Sequence, residues 1–227
     1  MAFDAQAERK FNVVGTRVTR PDGIDKVTGK AAYGADISAP GMLHGRILRS
    51  PHAHARIVSI DTSQAEALAG VKAVVTGADL AMPEDADFAD VAINCLARDK
   101  ALYDGHAVAA VAATSKAIAK QAIRLIKVEY EPLPHVTDVD AAMKPDAPVV
   151  QEGRALENVP AGMSQNVTTY CKFGHGDLDA GFAKADKIIE RSFKTAATHQ
   201  GYIEPQACMA SLGNDGRGEV WCCTQGQ

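Results

Sequence analysis

Residues 106–134, HAVAAVAATSKAIAKQAIRLIKVEYEPLP, constrain the fold more than any other part of the sequence. The stretch opens on an apolar run, 106–113, which predicts a buried strand. Ser115 then begins a predicted helix, because the apolar residues after it recur at helical spacing with basic residues between them. Residues 126–134 predict a second strand that ends at two prolines. Strand, helix and strand in this order predict a unit of mixed α+β or α/β class.

The residues before this unit predict further strands, at 41–50, 55–63 and 71–77. Ser63 and Glu66 have the spacing of a capping box, which predicts a short helix after the second of these strands. The acidic stretch PEDADFAD, residues 83–90, is typical of an exposed loop.

Hydrophobic periodicity is lost over residues 136–165, whose prolines indicate an extended linker. From residue 166 onward the alternation of a sheet returns. It predicts strands at 166–174 and 187–199, and an antiparallel pair, 206–213 and 217–225, across the turn Asn214-Asp215-Gly216. Asp177 is placed to cap a short helix.

The composition is that of a globular protein, with 46% hydrophobic and 23% charged residues. A net charge of −4 gives no electrostatic reason to expect nucleic acid or an anionic membrane as a partner. The longest apolar run, 107–113, is too short to span a bilayer. Five cysteines without a CxxC pair, in a chain without a secretory pattern at its start, lead us to expect reduced thiols and a cytoplasmic location.

Two groups of histidines are candidates for chemistry. His52 and His54 would lie on one face of a strand, where His44 could complete a metal site; alternatively, both bond to the backbone of a turn. His199 and Glu204 lie five residues apart in the segment THQGYIEP. They could act as a general base and its carboxylate, or form structural hydrogen bonds within a bend that ends at Pro205.

The adjacent thiols of Cys222 and Cys223 would point to opposite faces of a strand, so one metal ion is not easily held by both. We therefore expect buried, unreactive thiols. The sequence contains no GxxxxGK[ST] or GxGxxG phosphate loop and no GxSxG nucleophile elbow.

Three long stretches carry a family resemblance: 26–37 (KVTGKAAYGADI), 41–80 (from GMLHGRILRSPHAHARI to GADL) and 103–134. They resemble the N-terminal part of the molybdopterin-binding large subunit of molybdenum hydroxylases. This group includes xanthine dehydrogenase, aldehyde oxidase, carbon monoxide dehydrogenase and 4-hydroxybenzoyl-CoA reductase. The resemblance continues over 166–227, where THQGYIEPQACMA and CCTQGQ are similar to two segments of the family.

The resemblance implies an α+β protein, an α/β-hammerhead domain followed by the opening strands of a molybdopterin-binding domain. The implied divisions are an N-terminal extension (1–19), the hammerhead (20–136), a linker (137–165) and the incomplete cofactor domain (166–227). In the family, the glutamine of the Thr-Gln segment hydrogen-bonds an oxygen ligand of molybdenum, and by position this residue is Gln225. A neutral amide donates to such a ligand without adding charge beside the metal.

The implied function is that of an N-terminal portion or split subunit of a molybdenum-cofactor-dependent oxidoreductase, a hydroxylase or an aromatic acyl-CoA reductase. The cofactor would be shared with a C-terminal molybdopterin-binding part that supplies the general base and most pterin contacts. Iron–sulfur and FAD groups are expected on partner subunits, since the cysteine spacing cannot hold a [2Fe–2S] cluster. We expect no activity from this chain alone. The alternative is a non-catalytic hammerhead scaffold or binding subunit.

Overall fold

The computed structural model describes residues 11–154 and 156–224, with only the backbone described at 86 and 87. The strands, in chain order, are β1 (His44–Arg49), β2 (Ala55–Asp61), β3 (Val71–Thr76), β4 (Lys100–Ala101), β5 (Ala107–Ala113), β6 (Lys127–Pro132), β7 (Cys208–Leu212) and β8 (Gly218–Cys222). The helices are α1 (Gly23–Thr28), α2 (Ser63–Glu66), α3 (Ala86–Cys95), α4 (Lys116–Ala122), α5 (Val139–Ala142) and α6 (Leu178–Ala183).

The chain divides into two compact units. A large unit comprises the described residues of the range 40–191, and a small unit comprises the described residues of the ranges 1–39 and 192–227. Mixed helix and strand in both units agree with the expected α+β class.

The core of the large unit lies on a three-stranded antiparallel sheet in the order β1-β5-β3. The central strand β5 is buried along most of its length, as its apolar sequence predicts. Helix α4 packs on this sheet through Ala119 and Ala122. Ser115 caps the helix, since its hydroxyl accepts a hydrogen bond from the backbone N–H of Ile118 at 3.2 Å. The strand–helix–strand prediction is therefore confirmed.

A second antiparallel sheet has the order β4-β2-β6. The predicted helix α2 follows β2, but the predicted capping box is wrong. Ser63 is the first helical residue and not the cap, and its N–H and hydroxyl both donate to the Asp61 carboxylate, at 3.0 and 2.6 Å. Thr62 precedes the helix, and its hydroxyl donates to Glu66 at 2.6 Å.

Helix α3 occupies part of the acidic stretch for which a loop was expected. The Asp85 carboxylate accepts a hydrogen bond from the backbone N–H of Phe88 at 3.2 Å, at the start of this helix. Acidic side chains stabilise the positive N-terminal end of a helix, so the same charges that indicate a loop also favour a helix start.

The stretch 136–165, predicted to be an extended linker, belongs to the large unit and contains helix α5. The side-chain carbonyl of Asn166 accepts a hydrogen bond from the Val150 backbone N–H at 3.1 Å. The side-chain NH₂ group of Asn166 donates to the backbone carbonyls of Ala142 and Pro148, at 3.3 and 3.0 Å. Ser164 is buried beside it. One side chain thus holds three points of an otherwise aperiodic segment.

The small unit contains α1 and the hairpin β7–β8, which is antiparallel as predicted.

Two other predicted strands, 166–174 and 187–199, are wrong: apart from a single bridge from Thr169 to Glu157, both segments lack strand structure. Alternation alone does not make a strand, because the backbone needs a neighbouring strand to bond with. Asp177 caps α6 as expected, accepting from the Ala180 N–H at 2.9 Å.

Among residues 11–154 and 156–224, no helix is long and apolar enough to cross a membrane.

Candidate functional site

The candidate site is a cleft of about 780 Å³ within the small unit. Its lining comes from the bend before β7 and from the end of β8, and consists of Gln200, Tyr202, Glu204, Gln206, Cys222, Cys223 and Thr224. Gln225, the residue expected to reach a metal ligand, lies outside the described residues. Its described neighbour Thr224 belongs to the lining of the cleft.

The hairpin register brings the two walls of this cleft together. Residue pairs run from Leu212 and Gly218 beside the turn to Cys208 and Cys222 at the open end. One step further, the backbone N–H of Cys223 donates to the Ala207 carbonyl at 3.3 Å. The cleft therefore forms where β8 leaves the ladder and where the chain enters β7.

The thiol of Cys223 reinforces this junction. It accepts a hydrogen bond from the Ala207 backbone N–H at 3.2 Å and donates to the Pro205 carbonyl at 3.3 Å. Cys223 is partly buried, but Cys222 is exposed. The expectation of two buried thiols is thus wrong for Cys222, because β8 has no second sheet covering its face among the described residues.

The bend 199–206 is held by local contacts. The Nδ1 atom of His199 accepts from the Gly201 backbone N–H at 3.0 Å, and its ring stacks on Tyr202 with centroids 5.7 Å apart. The Gln206 amide donates to the Tyr202 hydroxyl. Of the two roles that the sequence left open for His199, the structure therefore shows the structural hydrogen bond within the bend. Glu204 lines the cleft.

The two histidines of residues 50–54 (SPHAH), His52 and His54, lie in the large unit and act structurally. The Nδ1 atom of His54 bonds to the Pro134 carbonyl at 2.7 Å, and because a carbonyl only accepts, Nδ1 carries the proton. Its Nε2 atom is buried without a hydrogen-bond partner among the described residues. The ring of His52 meets Tyr130 edge-on, with centroids 5.0 Å apart. In the described part of the chain, no three His, Cys, Asp or Glu side chains are grouped to hold a metal ion.

His106 is a structural residue whose contacts the sequence does not reveal. It is fully buried, its Nδ1 atom accepts from the Leu102 N–H at 3.1 Å, and its Nε2 atom bonds to the Ile93 carbonyl at 3.0 Å. Burial lowers the pKa of the His106 imidazole below its ordinary value. A neutral ring protonated at Nε2 satisfies both contacts.

The lining of the cleft fits the expected cofactor. Its volume falls in the range of small-molecule sites. Gln200 and Gln206 offer amides, Tyr202 and Thr224 offer hydroxyls, and Glu204 is the carboxylate of the lining. Neutral donors and acceptors suit the polar edges of a pterin, and the amide donors suit the anionic groups of its side chain.

Two family models match the sequence. Residues 28–134 match the model described as "Aldehyde oxidase and xanthine dehydrogenase, a/b hammerhead domain". Residues 160–227 match the model described as "Molybdopterin cofactor-binding domain". The second match includes all the residues that line the cleft.

Curated relatives agree with these matches. The chain is 38% identical to the carbon monoxide dehydrogenase large chain of Afipia carboxidovorans, over 92% of this chain and 27% of the relative. It is 36% identical to a probable xanthine dehydrogenase subunit of Bacillus subtilis, over 91% of this chain and 26% of the relative. The nicotinate dehydrogenase large molybdopterin subunit of Eubacterium barkeri is 32% identical, over 96% of this chain and 48% of the relative. The chain therefore spans about a quarter to a half of the length of these relatives, whose names mark them as parts of larger assemblies.

Solved structures show the same likeness. A Cu,Mo-CO dehydrogenase chain matches with a TM-score of 0.74 and 35% identity, over 92% of this chain and 27% of that one. A chain of the quinoline 2-oxidoreductase of Pseudomonas putida 86 matches with a TM-score of 0.68 and 30% identity, over 93% and 27%.

Proposed function

The chain belongs to the molybdenum hydroxylase family of aldehyde oxidase and xanthine dehydrogenase, and we propose that it works as the N-terminal portion or split subunit of a molybdenum-cofactor-dependent oxidoreductase. Its contribution is one wall of the molybdenum site. The observation that carries this proposal is the cleft of the small unit, because the two segments that form it, 200–206 and 222–224, are those that resemble the family's cofactor-side segments.

The residues of this wall would bind and orient the cofactor. Gln225 follows Thr224 directly and would direct its amide toward an oxygen ligand of the metal, as the resemblance implies. Gln206 is already fixed by its bond to the Tyr202 hydroxyl, and Cys223 fixes the backbone of Pro205 and Ala207. Such fixed donors orient a bound group without reorganising when it arrives. When bound, the cofactor supplies two-electron redox chemistry.

The remaining parts of the site belong to other residues. We assign residues 20–136 to the hammerhead, 137–165 to the linker and 166–227 to the opening of the cofactor domain. The general base and most pterin contacts then come from a C-terminal molybdopterin-binding part. Iron–sulfur and FAD groups on partner subunits would carry electrons away, and the cytoplasm is the proposed location, which suits five cysteines in the thiol form.

Substitution of Gln225 in the assembled enzyme tests the proposal. Gln225→Ala should leave assembly and molybdenum content unchanged but lower kcat by about a hundredfold, the usual effect of removing one fixed donor. Gln121→Ala, at an exposed position of α4, is the matched control and should have normal activity. A Gln225→Ala enzyme with normal kcat and normal molybdenum content would contradict the proposed wall. Normal assembly without any molybdenum in the unsubstituted complex would favour a non-catalytic scaffold.

A further inference from the structure

Cys208 and Cys222 are direct cross-strand neighbours in the β7–β8 hairpin. Both side chains are exposed, and both are free thiols. Because opposite residues of an antiparallel ladder project to the same face, the two thiols share one side of the hairpin.

The hydrogen bonds at the two ends of the ladder show whether Cys208 and Cys222 form a hydrogen-bonded or a non-hydrogen-bonded pair. The Gly213 N–H donates to the Arg217 carbonyl at 2.8 Å, and the Cys223 N–H donates to the Ala207 carbonyl at 3.3 Å. Hydrogen-bonded and non-hydrogen-bonded pairs alternate along an antiparallel ladder, so Cys208 and Cys222 occupy a non-hydrogen-bonded position. At such positions the Cα atoms are about 4.5 Å apart. This separation lies within the range of roughly 4.4–6.8 Å that a disulfide spans.

We propose that Cys208 and Cys222 form a dithiol site that reacts with small disulfides and closes to an intramolecular disulfide. The thiolate of one cysteine attacks a sulfur of the small disulfide, forming a mixed disulfide and releasing one small thiol. The second cysteine then attacks the protein sulfur and releases the other small thiol. Two protein S–H bonds are lost and one S–S bond forms, while the two electrons and two protons pass to the small disulfide.

The register also explains why Cys223 is not the partner. Its thiol is engaged with the backbone of Ala207 and Pro205. Successive residues of a strand point to opposite faces, so Cys222 points away from Cys223 toward Cys208. The proposal rests on the hairpin alone and does not depend on the proposed function.

Oxidation of the reduced, full 227-residue chain with oxidised glutathione tests the site. The thiols of Cys208 and Cys222 should stop reacting with an alkylating reagent, because the disulfide consumes both. The peptides that carry Cys208 and Cys222 should together lose the mass of two hydrogen atoms and carry no glutathione, the chain should stay monomeric on a non-reducing gel, and excess dithiothreitol should reverse the change. Peptide mapping should find Cys208 joined to Cys222.

Three serine variants serve as controls. Cys208→Ser and Cys222→Ser should stop at the mixed disulfide with glutathione, whereas Cys223→Ser should still close the ring. Reactive thiols at both Cys208 and Cys222 after treatment, a stable glutathione adduct on either of these two residues in the unsubstituted chain, or a crosslink that includes Cys223 would each overturn the proposal. The mapping on the unsubstituted chain stands even where a variant fails to fold.

Discussion

The thiol of Cys223 accepts a hydrogen bond from the backbone N–H of Ala207 at a distance of 3.2 Å. This bond joins the end of β8 to the entry of β7, at the point where the backbone ladder ends. The lining of the cleft extends to either side of it, through Gln206 and Thr224. The shape of the candidate site therefore depends on one side chain that contributes no charge to it.

Removal of this thiol should loosen the junction. Cys223→Ala leaves a partly buried N–H at Ala207 without its partner, which should lower the free energy of unfolding by about 1–3 kcal/mol. Hydrogen exchange at the Ala207 amide should become faster. Cys223→Ser keeps a group that accepts and donates and should stay close to the unsubstituted chain, while Cys222→Ala, at an exposed position, should change little. Equal exchange rates in the alanine and serine variants would show that the thiol does not hold this amide.

Gly77 should tolerate no side chain. A Cβ atom there would lie 2.4 Å from the Ala97 carbonyl oxygen and 2.8 Å from the Arg98 Cα, and both are backbone atoms that cannot move alone. We expect Gly77→Ala to destabilise the large unit by about 1–3 kcal/mol in denaturant unfolding. Gly45→Ala in β1 is the matched control, because a Cβ atom there meets nothing within 4 Å. A Gly77→Ala variant as stable as Gly45→Ala would refute the close approach.

Burial of His106 should make stability depend on pH. Its pKa is lowered in the folded state, so between that value and the ordinary value near 6.5 the unfolded chain binds more protons. The stabilising contribution is complete above about pH 6.5 and is lost as the pH falls toward the folded pKa, with a slope of at most about 1.4 kcal/mol per pH unit.

Unfolding free energies measured between pH 7 and pH 5 check this expectation at about half-unit steps. His106→Asn should remove this part of the pH dependence, and His135→Asn, at an exposed position, should retain it. Titration of the His106 ring in the folded chain at its ordinary pKa, followed by NMR, would contradict the assignment.

Asn166 should hold the stretch 142–150 in place. Asn166→Ala removes its bonds to Val150, Ala142 and Pro148, and we expect a loss of about 1–3 kcal/mol together with faster proteolysis of this stretch. Asn166→Asp keeps the acceptor for Val150 but removes the amide donor, so its loss of stability should be smaller than that of Asn166→Ala. Unchanged proteolysis of Asn166→Ala would show that the stretch is held by other contacts.

The strands of the large unit were predictable because their sequence and their environment agree. The apolar residues of 107–113 are buried at the centre of a sheet, and the Ser115 hydroxyl caps the helix that follows. The hairpin 208–222 was equally predictable from the sequence, since the turn Asn214-Asp215-Gly216 sets its register. In each case local chemistry and tertiary packing favour the same structure.

Other features depend on contacts that no local pattern contains. Residues 187–199 alternate like a strand but have no strand neighbour in the described part of the chain. The three bonds of Asn166 reach residues 16 to 24 positions away, in a stretch without periodicity. The family resemblance pointed to the segments 198–210 and 222–227, but the contact between them at Ala207 and Cys223 follows only from the folded hairpin.

Molybdenum analysis of the chain isolated with its native partners tests the central claim most directly. The chain should be recovered in a complex that contains stoichiometric molybdenum and pterin, and the same chain purified alone should contain neither. A native complex without molybdenum would contradict the account, and so would stoichiometric molybdenum in the isolated chain, because one wall of a site is not sufficient to hold the cofactor.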